Sequence, residues 1–200
     1  AKQIMTVPLL ATNTRINVIG LENLPKDPGF TIYSNHTSMM DIAVLMYKIY
    51  QYPVAFLAKK EVGKLFSIGK WTTSLGSVML DRENTRKGAE AILDVIRNVK
   101  NGLTMVVFPE GTRSKEIGQL LPFKPGSFKI ALKSRVPLVP ITIVKPLNFK
   151  KIKWPRPKRM TLVIHPPIPY EELKTKTSNE LADYVRDIIS KPLNLNDRKS

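Results

Sequence analysis

The 200-residue sequence contains no cysteine and only two histidines, His36 and His165. Without a thiol there is no disulfide, no iron–sulfur cluster, no thiolate zinc site and no cysteine nucleophile. Two imidazoles are too few for a three-histidine metal centre, so no metal is expected. Long apolar runs are missing as well, and none approaches the roughly 18–20 residues of a membrane-spanning helix. Residues 1–14 form an N-terminal segment whose one apolar patch, Ile4–Leu10, lacks the order of regions of a signal peptide. There is no internal repeat and no low-complexity linker. Acidic residues are scarce: 16 Asp and Glu stand against 32 Lys and Arg, a formal charge of +16. Such an excess draws a protein to nucleic acid, acidic lipid headgroups, a phosphorylated substrate or an acidic protein.

What is present is the material of one folded domain. A hydrophobic fraction of 42 % is ordinary for a globular chain, and this length buries roughly 70 % of its unfolded surface. Short apolar runs recur at Ile16–Ile19, Phe30–Tyr33, Val54–Leu57, Ser77–Leu80, Leu103–Phe108, Leu138–Val144 and Thr161–His165, each of strand length and composition. Ala89, Ile92, Leu93, Ile96 and Val99 form a helical stripe that Gly102 can stop. Thr177 and Glu180 have capping-box spacing ahead of Leu181, Tyr184, Val185, Ile188 and Ile189, and Pro192 is expected to end that helix. Alternating strands and helices predict an α/β fold: a single domain over residues 15–190, with a mostly parallel or mixed sheet of about seven strands flanked by helices. Residues 191–200 read as a C-terminal tail.

Lys145–Met160 stands apart, with seven Lys or Arg, no acid, three prolines, Phe149 and Trp154. The prolines argue against a regular helix or a central strand, so the segment reads as a surface excursion. Lysines beside an indole suit an anionic membrane surface, and Lys150, Lys151, Lys153 and Trp154 are the expected contacts. A solvated loop with its aromatics folded back is the plain alternative. Nucleic acid is not expected.

Two stretches carry dense polar chemistry beside apolar runs. In Tyr33-Ser-Asn-His-Thr-Ser-Met-Met-Asp41, His36 and Asp41 are five residues apart, about 140° on an ideal helix and so not on one face. They can meet if His36 lies in a turn and Asp41 in the first turn of a helix capped by Ser38. Asp41 would then orient one ring nitrogen while the other takes a proton from a hydroxyl. With no cysteine and no Gly-x-Ser-x-Gly elbow, that hydroxyl should belong to the substrate. Without such a meeting, Asp41 is only a cap residue and His36 a turn residue. In Val106-Val-Phe-Pro-Glu-Gly-Thr-Arg-Ser114, a strand ends at a tight turn and presents Arg113, whose fork matches phosphate oxygens. His165 lies outside both stretches and reads as structural. Met39, Met40 and Met46 suit either core or the lining of an apolar pocket.

Together the two stretches, Asn35-His36-x-Ser-x-x-Asp41 and, about seventy residues later, Phe108-Pro-Glu-Gly-Thr-Arg-Ser114, resemble the glycerolipid acyltransferase family, most closely its bacterial 1-acylglycerol-3-phosphate branch. Phe56-Leu-Ala-Lys-Lys-Glu61, Leu80-Asp-Arg82, Pro122-Phe-Lys-Pro-Gly-Ser127 and Val136-Pro-Leu-Val-Pro140 resemble further motifs of that family, and the likeness runs from Arg15 to Pro169. It implies a His-x4-Asp mechanism with His36 as general base and Asp41 as its partner. It also implies that Lys59 and Arg113 grip the substrate phosphate, while Asn35, Ser38, Arg82, Glu110, Gly111 and Thr112 line the pocket. The implied substrates are lysophosphatidic acid and an acyl thioester, from acyl-CoA or acyl carrier protein, with no further cofactor. The implied setting is the cytoplasmic face of the membrane, in peripheral or monotopic attachment. Two departures stand out: Lys115-Glu-Ile-Gly118 is less basic than the family's run, and a hydrophobic N-terminal anchor is absent or reduced to Ile4–Leu10. The rival readings are a glycerol-3-phosphate 1-acyltransferase and a non-catalytic basic protein binding membrane or nucleic acid.

Overall fold

All seven apolar runs become strands. The computed structural model describes residues 2–59, 76–80 and 85–196. Its strands are β1 (Thr14–Ile19), β2 (Thr31–Ser34), β3 (Val54–Lys59), β4 (Val78–Leu80), β5 (Thr104–Val107), β6 (Leu138–Val144) and β7 (Lys158–Ile164). Among the described residues they form one sheet in the order β1-β7-β6-β2-β5-β3-β4. Strands β6, β2, β5, β3 and β4 are mutually parallel. Strand β7 runs antiparallel to β6 and carries β1 parallel to itself at the edge. The sheet is therefore mixed, with its parallel part running from β6 to β4 and the antiparallel pairing between β6 and β7.

Helices cover both faces, which explains why the central strands are apolar throughout rather than alternating. The helices are α1 (Lys2–Ala11), α2 (Met39–Lys48), α3 (Thr85–Lys100), α4 (Pro125–Ser134), the short α5 (Tyr170–Leu173) and α6 (Ser178–Asn196). On one face, Ile32, Val106 and Ile141 pack with Leu9 of α1, with Val44 and Leu45 of α2, and with Ile49 just beyond it. On the other, Tyr33, Met105 and Val107 pack with Val95 and Val99 of α3, Phe128 of α4, and Leu181, Val185 and Ile189 of α6. Successive residues of β2 and β5 thus serve opposite cores, as the pleat requires. Each such side chain contributes roughly 1.5–3 kcal/mol when fully buried.

Three sequence-based expectations are corrected here. Lys145–Met160 is not a continuous surface excursion: Lys145 and Phe149 are buried, and Lys158 already opens β7, an interior strand of the sheet. The prolines fall at 146, 155 and 157, all before that strand, so none costs it a ladder hydrogen bond. Pro192 does not end α6, which continues to Asn196. The backbone bond that proline removes falls in the helix's last turns, where burial of Leu193 holds the chain on the core. For the same reason the C-terminal tail does not begin at residue 191. At the other end, α1 is docked by Leu9 while Val7 and Leu10 face outward.

Because five neighbouring strands, β6 to β4, are parallel, their carboxyl ends lie at one end of the sheet. Ser34, Val107 and Val144 end β2, β5 and β6 there, and β2 lies between the other two. Open α/β sheets bind ligands at such an end.

Candidate active site

Immediately beyond β2, the chain makes the turn that lets His36 and Asp41 meet. Ser38 is extended and caps α2, with Asp41 at the third helical position closing a capping box. Asp41 Oδ2 accepts the Thr37 N–H at 2.7 Å, the Ser38 N–H at 2.8 Å and His36 Nδ1 at 3.0 Å. One carboxylate is thus both cap and partner of the imidazole, so the two alternatives open in the sequence hold at once. Burial by itself would raise the Asp41 pKa. The hydrogen bond from His36, the Lys145 ammonium and the Ser38 N–H outweigh it and hold the carboxyl below its usual range. An ionised carboxylate only accepts, so Nδ1 of His36 carries the hydrogen and Nε2 is the nitrogen with a lone pair to offer. No described residue bonds Nε2. The His36 ring stacks on Phe108, with centroids 4.1 Å apart, and its side chain keeps 12 % exposure.

The second motif grips His36 by its backbone. Glu110 is buried; its Oε1 accepts the His36 N–H at 2.8 Å and its Oε2 the Leu121 N–H at 2.9 Å. The Ser114 N–H donates to the His36 carbonyl at 2.8 Å. Both main-chain groups of the histidine are therefore held by a loop more than seventy residues away. Burial raises the Glu110 pKa, against the two N–H bonds that lower it. Gly111 makes the turn between, with φ +73°, and a Cβ there would come within 2.9 Å of the Lys124 side chain. Thr112 and Arg113 follow on the exposed outer side, and Arg113 makes no hydrogen bond or ion pair with a described residue.

Sequence reasoning missed Lys145, which it counted among the surface lysines. The side chain is 3 % exposed and pairs with Asp41 Oδ1. Its ammonium also donates to Thr37 Oγ1 and to Ser38 Oγ, the latter at 3.0 Å. Burial pushes Lys145 below the usual lysine range, and Asp41 only partly offsets this. The available signal was its position, directly after an apolar central strand at the edge where ligands bind.

The other expected residues divide. Asn35 does not face a pocket: its Nδ2 donates to the Ile143 carbonyl at 3.0 Å and its Oδ1 accepts the Ile143 N–H at 2.8 Å, stitching the end of β2 to β6. Buried there, its amide is satisfied by the sheet and has no face for substrate. Glu110 likewise braces the site from behind rather than lining it. Lys59 closes β3, and Arg82 lies outside the described residues, as do Lys60 and Glu61. Lys150, Lys151, Lys153 and Trp154 are exposed, Trp154 at 74 %, whereas Phe149 is buried beneath Lys145 and Lys158. Lys150 reaches the Lys115 carbonyl, tying the basic loop to the loop that bears Arg113. Met46 is core, Met40 packs on it and Met39 is exposed.

This arrangement, an imidazole with an ionised partner on one nitrogen and a lone pair on the other, is suited to activating a hydroxyl. The sequence profile described as Acyltransferase matches residues 15–144, most of the chain. The chain belongs to the acyltransferase family. It is 30 % identical, over 94 % of its length and 75 % of the relative's, to 1-acyl-sn-glycerol-3-phosphate acyltransferase of Borreliella burgdorferi. It is 32 % identical to the Bacillus subtilis protein of that name, covering 80 % of this chain and 77 % of that one. The crystal structure of the 1-acyl-sn-glycerophosphate (LPA) acyltransferase from Thermotoga maritima superposes with a TM-score of 0.80 at 30 % identity, over 96 % of this chain and 76 % of that one. These relatives place the chain among the O-acyltransferases. Among the described residues no cluster of side chains could hold a metal ion, and no helix is long and apolar enough to cross a membrane.

Proposed function

We propose that this acyltransferase moves a fatty acyl group from a thioester, acyl-CoA or acyl carrier protein, to the free hydroxyl of 1-acylglycerol-3-phosphate, giving phosphatidic acid. The observation that carries the reading is the His36–Asp41 contact of 3.0 Å at the carboxyl ends of the parallel strands. His36 Nε2 accepts the hydroxyl proton as the hydroxyl oxygen attacks the thioester carbonyl. The tetrahedral intermediate collapses by breaking the carbon–sulfur bond, and the departing thiolate takes the proton back from the imidazolium. Asp41 keeps the ring in the required tautomer throughout. No protein nucleophile takes part, so transfer is direct and no acyl-enzyme forms. Arg113, exposed beside the backbone that holds His36, and Lys59 at the end of β3 bind the phosphate monoester as charged donors. Gly111 and Thr112 shape the approach.

The acceptor is a lipid, and the exposed groups near the site suit a membrane surface. Trp154, Leu147 and the outward residues Val7 and Leu10 of α1 are exposed and apolar, and the exposed Lys150, Lys151 and Lys153 lie between the first two in sequence. The Asn13 side chain donates to the Pro155 carbonyl at 2.7 Å, which sets the end of α1 beside that loop. Peripheral attachment to an anionic, cytoplasmic membrane face through this surface follows, at about 1 kcal/mol per basic residue.

The test is thioester cleavage followed with a free-thiol reagent, using lysophosphatidate, glycerol 3-phosphate or a lysophospholipid without the phosphate monoester as acceptor. Thiol release dependent on lysophosphatidate, with phosphatidate as product, is expected. Equal or faster release with glycerol 3-phosphate would reassign the acceptor. A covalent acyl adduct seen by intact mass with donor alone would overturn direct transfer. Changing Lys150, Lys151 and Lys153 to Glu should weaken sedimentation with anionic vesicles while sparing turnover of a short, water-soluble acceptor.

A further inference from the structure

The transfer step just described makes no use of Lys145, yet this side chain fills the interior of the site. All three of its ammonium hydrogens have acceptors in the His36–Asp41 turn: Thr37 Oγ1, Ser38 Oγ and Asp41 Oδ1. Its ammonium also lies over the Phe149 ring, 5.3 Å from the centroid. Buried beneath the turn, it cannot serve as a phosphate ligand. The two oxygens of Asp41 are divided: Oδ2 receives His36 and two backbone N–H groups, and Oδ1 receives Lys145 and, at 3.4 Å, the Ser38 hydroxyl.

We propose that Lys145 is a positioning residue for the His36–Asp41 pair, holding Oδ2 toward the imidazole and offsetting the carboxylate's charge so that the ring can release the proton it takes up. The inference rests on the reading of His36 as the base. A lone carboxylate stabilises an imidazolium, which helps proton uptake and hinders its return to the leaving thiolate. A cation on the far oxygen opposes that stabilisation, because two like charges then share one carboxylate. Among the described residues, the charged groups facing His36 are Asp41 from α2, Glu110 from the loop after β5, and Lys145 from the end of β6. Behind them, Lys150 acts on Lys145, and Arg186 of α6 acts on Glu110. Among these groups Lys145 is the cation that opposes the imidazolium, reaching into the turn from the end of β6.

The chain's two histidines make the test direct. Ring signals are followed by NMR against pH in ligand-free wild type, Lys145→Met, Lys145→Gln and Lys145→Arg, with His165→Gln identifying the second set. Lys145→Met is expected to fold, because Asp41 keeps three donors on Oδ2, and Lys145→Gln retains polar contacts as a second neutral variant. In either, the His36 curve should move up from its wild-type position, because a like charge behind the shared carboxylate has been removed. The His165 curve should stay, and Lys145→Arg should resemble wild type. In turnover assays the acid limb of kcat should move up with the His36 curve, and kcat should fall more than KM rises. An unmoved His36 curve in a folded neutral variant, whatever its thermal stability, would overturn the proposal and leave Lys145 a structural brace. The NMR arm needs no substrate. A shifted curve in a protein inactive on lysophosphatidate would uphold the placement of Lys145 and refute the activity reading instead.

Discussion

His36 follows β2 and His165 follows β7, and each ring meets one oxygen: Asp41 Oδ2 at 3.0 Å for His36 Nδ1, Thr142 Oγ1 at 2.8 Å for His165 Nε2. Because β7 runs against β2, the two histidines sit at opposite ends of the sheet. The Thr142 hydroxyl spends its single hydrogen on the Ile189 carbonyl at 2.9 Å, so it must accept from His165. A neutral hydroxyl brings no charge to stabilise an imidazolium. Burial, with the Lys191 ammonium nearby, holds His165 below the usual histidine range. His36 has an anion on one nitrogen and no bond to a described residue on the other. Chemical competence in a histidine therefore comes from the charge of its partner and the freedom of its second nitrogen, and burial alone makes a strut.

The comparison breaks most sharply on removing each ring. His36→Ala should reduce thioester-dependent acyl transfer to background, while His165→Ala keeps turnover within a few-fold; circular dichroism should show both folded. Comparable loss of turnover in both variants would mean that the assignment of the base is wrong.

Removing the anion comes next. Asp41→Asn should lower kcat by about 10²–10⁴-fold, by releasing the tautomer and the orientation of His36. It should also cost roughly 3–5 kcal/mol in denaturant unfolding, because it leaves the buried Lys145 without its counter-charge. Asp41 has a folded pKa below its unfolded one. Its stabilising contribution is therefore complete above the ordinary carboxylate range and is lost as pH falls through the lower, folded value. The Asn variant should lack that part of the acid sensitivity. An Asp41→Asn protein with wild-type stability would refute the buried ion pair.

Arg113→Ala sharpens the comparison by separating substrate binding from proton transfer. The acceptor KM should rise on the order of 10–100-fold with kcat little changed, since a hydrogen bond to a charged group contributes about 1.5–3 kcal/mol. An unchanged KM would place the phosphate site elsewhere.

The smallest effect belongs to His165. Its folded pKa is depressed, so the unfolded chain binds the proton more readily, and stability present above about pH 6.5 falls away as pH drops below that value. His165→Gln still donates to Thr142 and does not titrate. Thermal unfolding at several pH values should show a flatter acid slope for the variant, and identical slopes would contradict the neutral, donating ring.

The strand positions were legible because each lay in a compact apolar run, and the parallel centre was legible because those runs lacked alternation. The Lys145–Met160 segment misled because composition was read as a single property of the stretch. Seven cations without an acid describe a surface on average, yet Lys145 is drawn inward by one carboxylate and Lys158 is set by the register of β7 on β1. Pro192 misled in a similar way, since its cost depends on where along the helix the lost bond falls and on what Leu193 packs against.

By itself, the sequence determined that a histidine and an aspartate could meet in one turn, because a Ser-capped helix start is a local matter of backbone geometry and a few hydrogen bonds. The residue types of the second motif were equally plain as a tight turn presenting an arginine. Only the tertiary structure decided that Glu110 holds the backbone of His36 rather than substrate, that Asn35 serves the sheet, and that Lys145 enters the Asp41 network from 108 residues away. The physical reason is the same in each case. A polar side chain's role depends on which partners satisfy it once water is removed, and those partners come from strands that only the sheet order makes neighbours.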